Sequence, residues 1–406
     1  MRPKRMGMPR VVSILTLVSL LGACATIPDD EPPTPPERPE VDAVVPSKEE
    51  LIQLHLDEMD LRRRIGQRFM IFVPRGFGGV DDPDETTQKF IRTIESGNPA
   101  GMIVYPWNYE NRDDVIHLTD TLQTLAERSQ PGRRLLISAD QEGGRVAAFR
   151  FSDIVRLPSA AAVGRHEDPT FVESLAYVTG RELFAMGINM NLAPVLDLTE
   201  IPDDSIIGDR SFGDDPELVS EFAERYVLGM DRAGVIATAK HFPGHGVTRV
   251  DSHGRLPIVS YTLDDLRSRD LRPFAASIDA DIPVVMTAHI LFPVIDPDYP
   301  VTMSERFLQD ILRGEIGFDG VVISDGLEMG ALAADYDLDT TLKRAIRSGV
   351  DLILLYTRYE LLDVIDRVEQ MVLDGRLTEQ EIDRGVERIL ALKHRYNLLD
   401  EPSSSR

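Results

Sequence analysis

Lys240, His241 and His245, followed by Asp251 and His253, place three histidines, a lysine and an aspartate within fourteen residues. The segment Lys240-His241-Phe242-Pro243-Gly244-His245-Gly246 is broken by proline and glycine. It therefore reads as a loop rather than a helix. An apolar β-like run, Val235 to Ala239, leads straight into it. The alternative is a solvated loop with chance histidines, but the whole chain holds only eight. Asp251 and His253, spaced i and i+2, can hydrogen-bond. A carboxylate beside an imidazole favours the charged ring, which suits a group that donates a proton near neutrality and later takes it back. Asp325, in Ser324-Asp325-Gly326-Leu327-Glu328-Met329, is a carboxylate open to three roles: metal ligand, base or nucleophile. Glu328 is its near rival and is expected on the first turn of the next helix, pointing away. A nucleophilic carboxylate plus a proton donor is the minimum set for a retaining glycoside hydrolase, although a histidine replaces the usual second carboxylate.

These groups need a scaffold that brings them together. Eight short apolar runs are legible: 69–73, 101–105, 135–139, 188–192, 235–239, 283–288, 321–324 and 352–356. Helical periodicity fills most of the gaps, as at 113–129, 171–186, 215–233 and 338–348. Short, fully apolar runs alternating with amphipathic helices indicate a parallel sheet covered by helices. Eight such units predict an α/β fold of the (β/α)8 barrel type. A doubly wound open sheet is the alternative, but no G-x-G-x-x-G follows the first run. In a barrel, functional groups sit where strands end. Asp140, Lys240 with His241, His289 and Asp325 each follow one of these runs, and Asp197 follows the stretch Leu192 to Leu196 that continues the fourth. One shared cavity explains all five better than five separate turn residues.

Composition narrows the function classes. The formal net charge of −24 disfavours nucleic acid and direct attraction to anionic lipid. The only cysteine is Cys24, so no intrachain disulfide can form. Arg2, Lys4, Arg5 and Arg10 precede a short apolar run from Val11 to Leu21, and Leu21-Gly22-Ala23-Cys24 has the form of a lipobox. The expectation is a lipoprotein signal over 1–24, lipidation at Cys24, and a protein held at the membrane of the cell envelope, facing the periplasm or exterior. A Pro- and acid-rich tether spans 25–47, with a helix starting near Ser47. The barrel is expected over 48–400, with a final helix from Glu379 to Leu399 and a frayed tail over 401–406.

The segment from Lys240 to Gly246 with Asp251-Ser252-His253 resembles the glycoside hydrolase family 3 β-N-acetylhexosaminidases. Asp140-Gln141-Glu142-Gly143-Gly144-Arg145-Val146, Ile207-Gly208-Asp209-Arg210-Ser211-Phe212-Gly213 and Ser324-Asp325 add to the resemblance, which extends over roughly 61–398. It implies a retaining exo-β-N-acetylglucosaminidase acting on peptidoglycan fragments or related amino-sugar glycans, with no cofactor or metal. It also implies Asp325 as nucleophile, His253 as acid/base and Asp251 as the residue orienting His253. Asp140, Arg210, Lys240 and His241 would hold the sugar, with Asp197, His245 and His289 in support.

Two features depart from the family pattern. Members often carry an arginine shortly after the Asp140 motif. Here Ala147-Ala148 stand before Phe149-Arg150, so one sugar contact is lost or passes to Arg145 or Arg150. Some lipoprotein members also have a second C-terminal domain, whereas this chain is expected to end with the barrel. The β-glucosidase branch usually lacks the Asp-x-His loop, which favours the hexosaminidase branch. A metal-dependent hydrolase using His241, His245, Asp251 and His253, and a non-catalytic sugar-binding lipoprotein, are the remaining rivals.

Overall fold

The computed structural model describes residues 46–79, 82–199, 206–246, 248, 254–356 and 358–400. Cys24, the signal, nearly all of the tether and the pair Asp251 and His253 lie outside the described residues.

All eight apolar runs form strands of one parallel sheet: β1 (Phe69–Phe72), β2 (Gly101–Ile103), β3 (Leu136–Ala139), β4 (Met190–Asn191), β5 (Ile236–Phe242), β6 (Val284–Thr287), β7 (Val321–Ser324) and β8 (Ile353–Leu355). Each strand pairs with the next in sequence, and β8 returns to β1 with Phe69 opposite Ile353. The β7–β8 seam is closed by a parallel bridge between Ile323 and Leu352. There the Ser324 N–H donates to Leu352 O and the Leu352 N–H to Val322 O, both at 3.0 Å. The barrel is therefore a closed ring.

Side-chain alternation along the strands divides the interior into two cores. Met70 and Phe72 of β1 point inward and meet Ile103, Leu136, Met190, Ile236, Val284, Met286, Val321 and Ile323. Phe69, Ile71 and Val73 point outward into the layer beneath the helices. Burial on both faces is why these strands read as unbroken apolar runs.

The helices have the caps their sequences call for. Lys48–Asp57 starts at Ser47 with a reciprocal Ser47/Glu50 capping box, and Arg112–Ser129 starts with an Asn111/Asp114 box. Pro169–Ala185 and Pro216–Ala233 take Asp168 and Asp215 as N-caps with proline in the first turn. Gly234, at φ 79°, ends the latter and turns the chain into β5.

The last helix closes the floor. Ile389 and Leu392 join the inner core. Arg68, buried before β1, donates to the carbonyls of Asp351, Val350 and Glu381 and ties this helix to the start of β8. The helix runs Glu379–Arg395 rather than to Leu399. Asn397 adopts φ 55°, which a helix cannot contain.

Candidate active site

The strand expected to end at Ala239 continues to Phe242, so Lys240 and His241 are strand residues rather than loop residues. Backbone pairing holds them there: the Lys240 N–H donates to Pro194 O at 3.0 Å, and Lys240 O accepts from the Leu196 N–H at 2.7 Å. The loop turns only at Pro243 and Gly244. It then passes so close to β4's continuation that a Cβ on Gly246 would lie 1.8 Å from Leu198 O. Only glycine permits that approach.

Lys240 is 2 % exposed. Its Nζ donates to Asp140 Oδ1 at 2.7 Å and lies 2.7 Å from Glu142 Oε1. Arg210 reaches the same Glu142 with two parallel bonds, Nε to Oε2 and Nη2 to Oε1, each 2.8 Å. Two buried cations thus share Glu142. Burial alone would raise its pKa, but Lys240 and Arg210 bring it down to about 2. Burial would likewise lower Lys240, yet Asp140 and Glu142 hold it above the ordinary lysine value. Arg210 is raised for the same reason, chiefly by Glu142 against burial. Sequence reading missed Glu142. Its signal was the i, i+2 spacing from Asp140 on Gln141–Gly143, a strand that pairs with Val146–Ala147.

A second cluster surrounds fully buried Asp197. Its Oδ2 lies 2.6 Å from His241 Nδ1, while Oδ1 accepts from the backbone N–H groups of His241 (3.1 Å) and His245 (2.7 Å). A carboxylate only accepts, so His241 carries a proton on Nδ1 and its ring is fixed in orientation. Burial raises the Asp197 pKa, but His241 and the His245 N–H reverse the balance and lower it. Burial lowers the pKa of His245.

Asp325 follows β7. Its N–H bonds Thr287 O at 3.3 Å, and its Oδ1 accepts from the Gly326 N–H at 2.8 Å, which fixes the plane of the carboxylate. Burial pushes its pKa up, but the charges of His241 and His289, the Gly326 N–H and Lys240 outweigh this and keep it below the ordinary value. His289 Nε2 lies 3.0 Å from Gly326 O and its Nδ1 2.8 Å from Thr302 Oγ1. A Cβ on Gly326 would lie 1.9 Å from Tyr356 Cε2, so glycine is required beside the carboxylate. Glu328 lies in the turn before the short helix Gly330–Ala333, not on its first turn. It accepts from the N–H groups of Arg358 (2.7 Å) and Tyr359 (3.2 Å). That use in backbone bonding separates it in role from Asp325.

Asp140, Asp197, Lys240 with His241, His289 and Asp325, from five strand ends, thus form one connected mouth. An aromatic row lines its side: Tyr356 stacks on Phe72 with ring centroids 4.0 Å apart, Phe72 on Tyr105 at 4.8 Å, and Tyr105 on Trp107 at 4.4 Å. Arg145 is engaged by Asp209 and by the carbonyls of Ile206 and Ile207, while Arg150 caps the carbonyls of Ala147 and Arg145. Among the described residues, no group of three His, Cys, Asp or Glu side chains is placed to hold a metal ion.

A barrel whose mouth combines an ionised carboxylate with buried, hydroxyl-seeking charges is of the sugar-hydrolase class. Residues 59–392 match the glycosyl hydrolase family 3 N terminal domain, and the chain belongs to that family. Over 262 residues it is 37 % identical to a beta-hexosaminidase of Nitrosomonas eutropha, covering 63 % of this chain and 73 % of that one. The solved structure of a family 3 beta-N-acetylglucosaminidase from Paenibacillus sp. superposes with TM-score 0.78 at 38 % identity, covering 84 % of this chain and 63 % of that chain. The beta-N-acetylhexosaminidase of Beutenbergia cavernae superposes with TM-score 0.75 at 28 % identity, covering 83 % of this chain and 99 % of that one. The chain thus spans less than two thirds of the Paenibacillus protein and nearly all of the Beutenbergia protein.

Proposed function

We propose that the protein is a retaining exo-β-N-acetylglucosaminidase that removes terminal N-acetylglucosamine from peptidoglycan fragments or related amino-sugar glycans. The observation that carries this reading is Asp325, held ionised at the end of β7 by His241 and His289, in one mouth with the Lys240–Asp140 pair. The names of the Nitrosomonas, Paenibacillus and Beutenbergia proteins support it.

In the first half-reaction an Asp325 oxygen attacks the anomeric carbon. The glycosidic C–O bond breaks, and the leaving oxygen takes a proton from His253, whose ring Asp251 orients. In the second, His253 takes a proton from water, the water oxygen bonds the anomeric carbon, and the Asp325 ester opens. Asp140, Arg210, Lys240 and His241 hold the hydroxyls and the 2-acetamido group. Charged donors and acceptors make strong, directional bonds to such groups. The test is the ratio of kcat/KM for 4-nitrophenyl β-N-acetylglucosaminide to that for the β-glucoside. A strong preference for the acetamido sugar is expected, and preference for the glucoside would overturn the reading.

A lipid anchor at Cys24 in the cell envelope belongs to the same proposal. It rests on Leu21-Gly22-Ala23-Cys24 following a basic start and a short apolar run. Cys24→Ala should move the protein from the membrane to the soluble fraction, and full retention in the membrane would exclude the anchor.

A further inference from the structure

Asp270 is 1 % exposed, and among the described residues neither of its carboxylate oxygens has a hydrogen-bond partner. It stands at the start of the helix Leu271–Asp279 but does not cap it. Its backbone is already helical, at φ −69° and ψ −31°, and its side chain makes no capping bond. The side chain lies instead against the turn that follows β5. A Cβ on Gly244 would come within 2.9 Å of Asp270 Oδ1 and 3.0 Å of Asp270 Cβ. Gly244 also holds φ at 137°, a conformation that other residues rarely take. Both features require glycine where this carboxyl group packs.

The turn leads straight into the charged cluster. The Gly244 N–H closes it on His241 O at 2.8 Å, and the His245 N–H reaches Asp197 Oδ1 at 2.7 Å. Asp197 Oδ2 in turn holds the ring of His241, whose charge helps to keep Asp325 ionised. The same helix supports the turn a second time through Phe274, which meets Phe242 edge-on at 5.4 Å and 88°. The helix is thus the bed of the turn, with one apolar contact and one carboxyl contact.

We infer that Asp270 is a positioning residue for the reaction at Asp325. As a neutral acid it seats the turn at Gly244. As an anion it repels Asp197 and shifts the turn, and His241 with it. This rests on the hexosaminidase reading of the mouth and adds to it a control on the alkaline side.

A buried carboxylate without a bonded partner is far more costly than the neutral acid. Burial accordingly pushes the Asp270 pKa up to about 7; Arg269 beside it favours the anion, and Asp197, held by the same turn, opposes it. Other charges on the elements packed around it are engaged or neutralised. Arg272 pairs with Glu217 of the helix Pro216–Ala233, and Arg267 pairs with Glu315. Burial lowers the pKa of His245 on the turn itself. Loss of the proton to solvent therefore sets a second negative charge near Asp197, with Arg269 alone to offset it.

The experiment compares the parent protein with Asp270→Asn and Asp270→Ala on 4-nitrophenyl β-N-acetylglucosaminide across the neutral and alkaline range. The activated leaving group needs little protonation, which limits the part played by His253 in the pH profile. The parent's kcat/KM should fall about tenfold or more between about pH 6 and about pH 8.5, as Asp270 loses its proton. Asp270→Asn cannot ionise and should fall less than about threefold over that range. Asp270→Ala should be equally flat but about tenfold lower than Asp270→Asn, because the seat itself is missing. Melting curves give a reading independent of activity. The folded pKa lies above the ordinary 3.8, so the stability that Asp270 contributes is complete below pH 3.8 and is lost as pH rises toward about 7. Both variants should lack that loss. If the parent and Asp270→Asn profiles coincide, or if folded Asp270→Asn is inactive at every pH, the assignment is wrong while the hexosaminidase reading stands. If the parent does not turn over the glycoside at all, the hexosaminidase reading fails. The melting curves then decide on Asp270 alone, and the same pH dependence in parent and variants overturns its role.

Discussion

Lys240 Nζ and Asp140 Oδ1 lie 2.7 Å apart although the residues are one hundred positions apart in the chain. The contact is made because β5 and the segment after β3 each place one charged side chain at the same end of the barrel. Glu142, two residues beyond Asp140, receives Lys240 and Arg210 together. This wall of the mouth is therefore a charge network of two acids and two bases.

Glu142→Gln should weaken this wall more than any exposed ion pair would. Both cations are largely buried, and breaking a buried pair leaves them uncompensated at a cost of roughly 3–5 kcal/mol. The pH dependence has a defined sign. The folded pKa of Glu142, about 2, lies below its ordinary 4.5. Its stabilisation is complete above pH 4.5 and is lost as pH falls from 4.5 toward 2. Acid unfolding followed by circular dichroism should show that the variant has lost this part of the parent's slope. Identical acid transitions would show that the network contributes nothing.

Asp197→Asn should lower turnover with little change in the fold. The amide cannot accept from His241 Nδ1 while its other end still serves the backbone N–H groups of His241 and His245. An unpaired buried donor costs about 1–3 kcal/mol, which, if expressed in the transition state, corresponds to roughly 5- to 150-fold in kcat/KM. Steady-state kinetics alongside a melting curve separates the outcomes. A large drop in Tm with unchanged kinetics would make Asp197 purely structural.

Lys393 lies in the barrel floor, far from the chemistry. Its Nζ donates to Gln67 Oε1 at 3.1 Å, and burial, aided by the Arg133 charge, pushes its pKa from 10.5 down to about 7. Between pH 7 and 10.5 the unfolded lysine binds a proton that the folded one does not, so stability rises with pH across that window. Each unit carries about 1.4 kcal/mol. Lys393→Met should remove that slope and raise Tm at neutral pH, outweighing the single hydrogen bond lost. A variant that melts lower than its parent at pH 7 would show that the amine is charged and well paired.

Much of this was legible in the sequence, and the gaps have physical causes. All eight strands were visible because a strand buried on both faces is mostly apolar, as Phe69–Phe72 is throughout. The end of β5 was misread because Lys240 and His241 are polar. A strand ends where pairing ends, and Phe242 still pairs with Thr287 of β6. Glu142 escaped notice because its partners, Lys240 and Arg210, come from distant segments. The Tyr356–Phe72–Tyr105–Trp107 row has no sequence signature, since stacking depends on which strand ends become neighbours.

The most direct test of the central claim is to trap the intermediate on Asp325. A 5-fluoro N-acetylglucosaminyl fluoride should slow breakdown of the glycosyl-enzyme, and mass spectrometry of a digest should find the sugar on the peptide containing Ser324-Asp325-Gly326. Asp325→Ala should abolish labelling and lower turnover by several powers of ten, on the order seen when a nucleophile is removed from its catalytic unit. A label on Glu328 or Asp140, or near-normal turnover by the Asp325 variant, would contradict the mechanism.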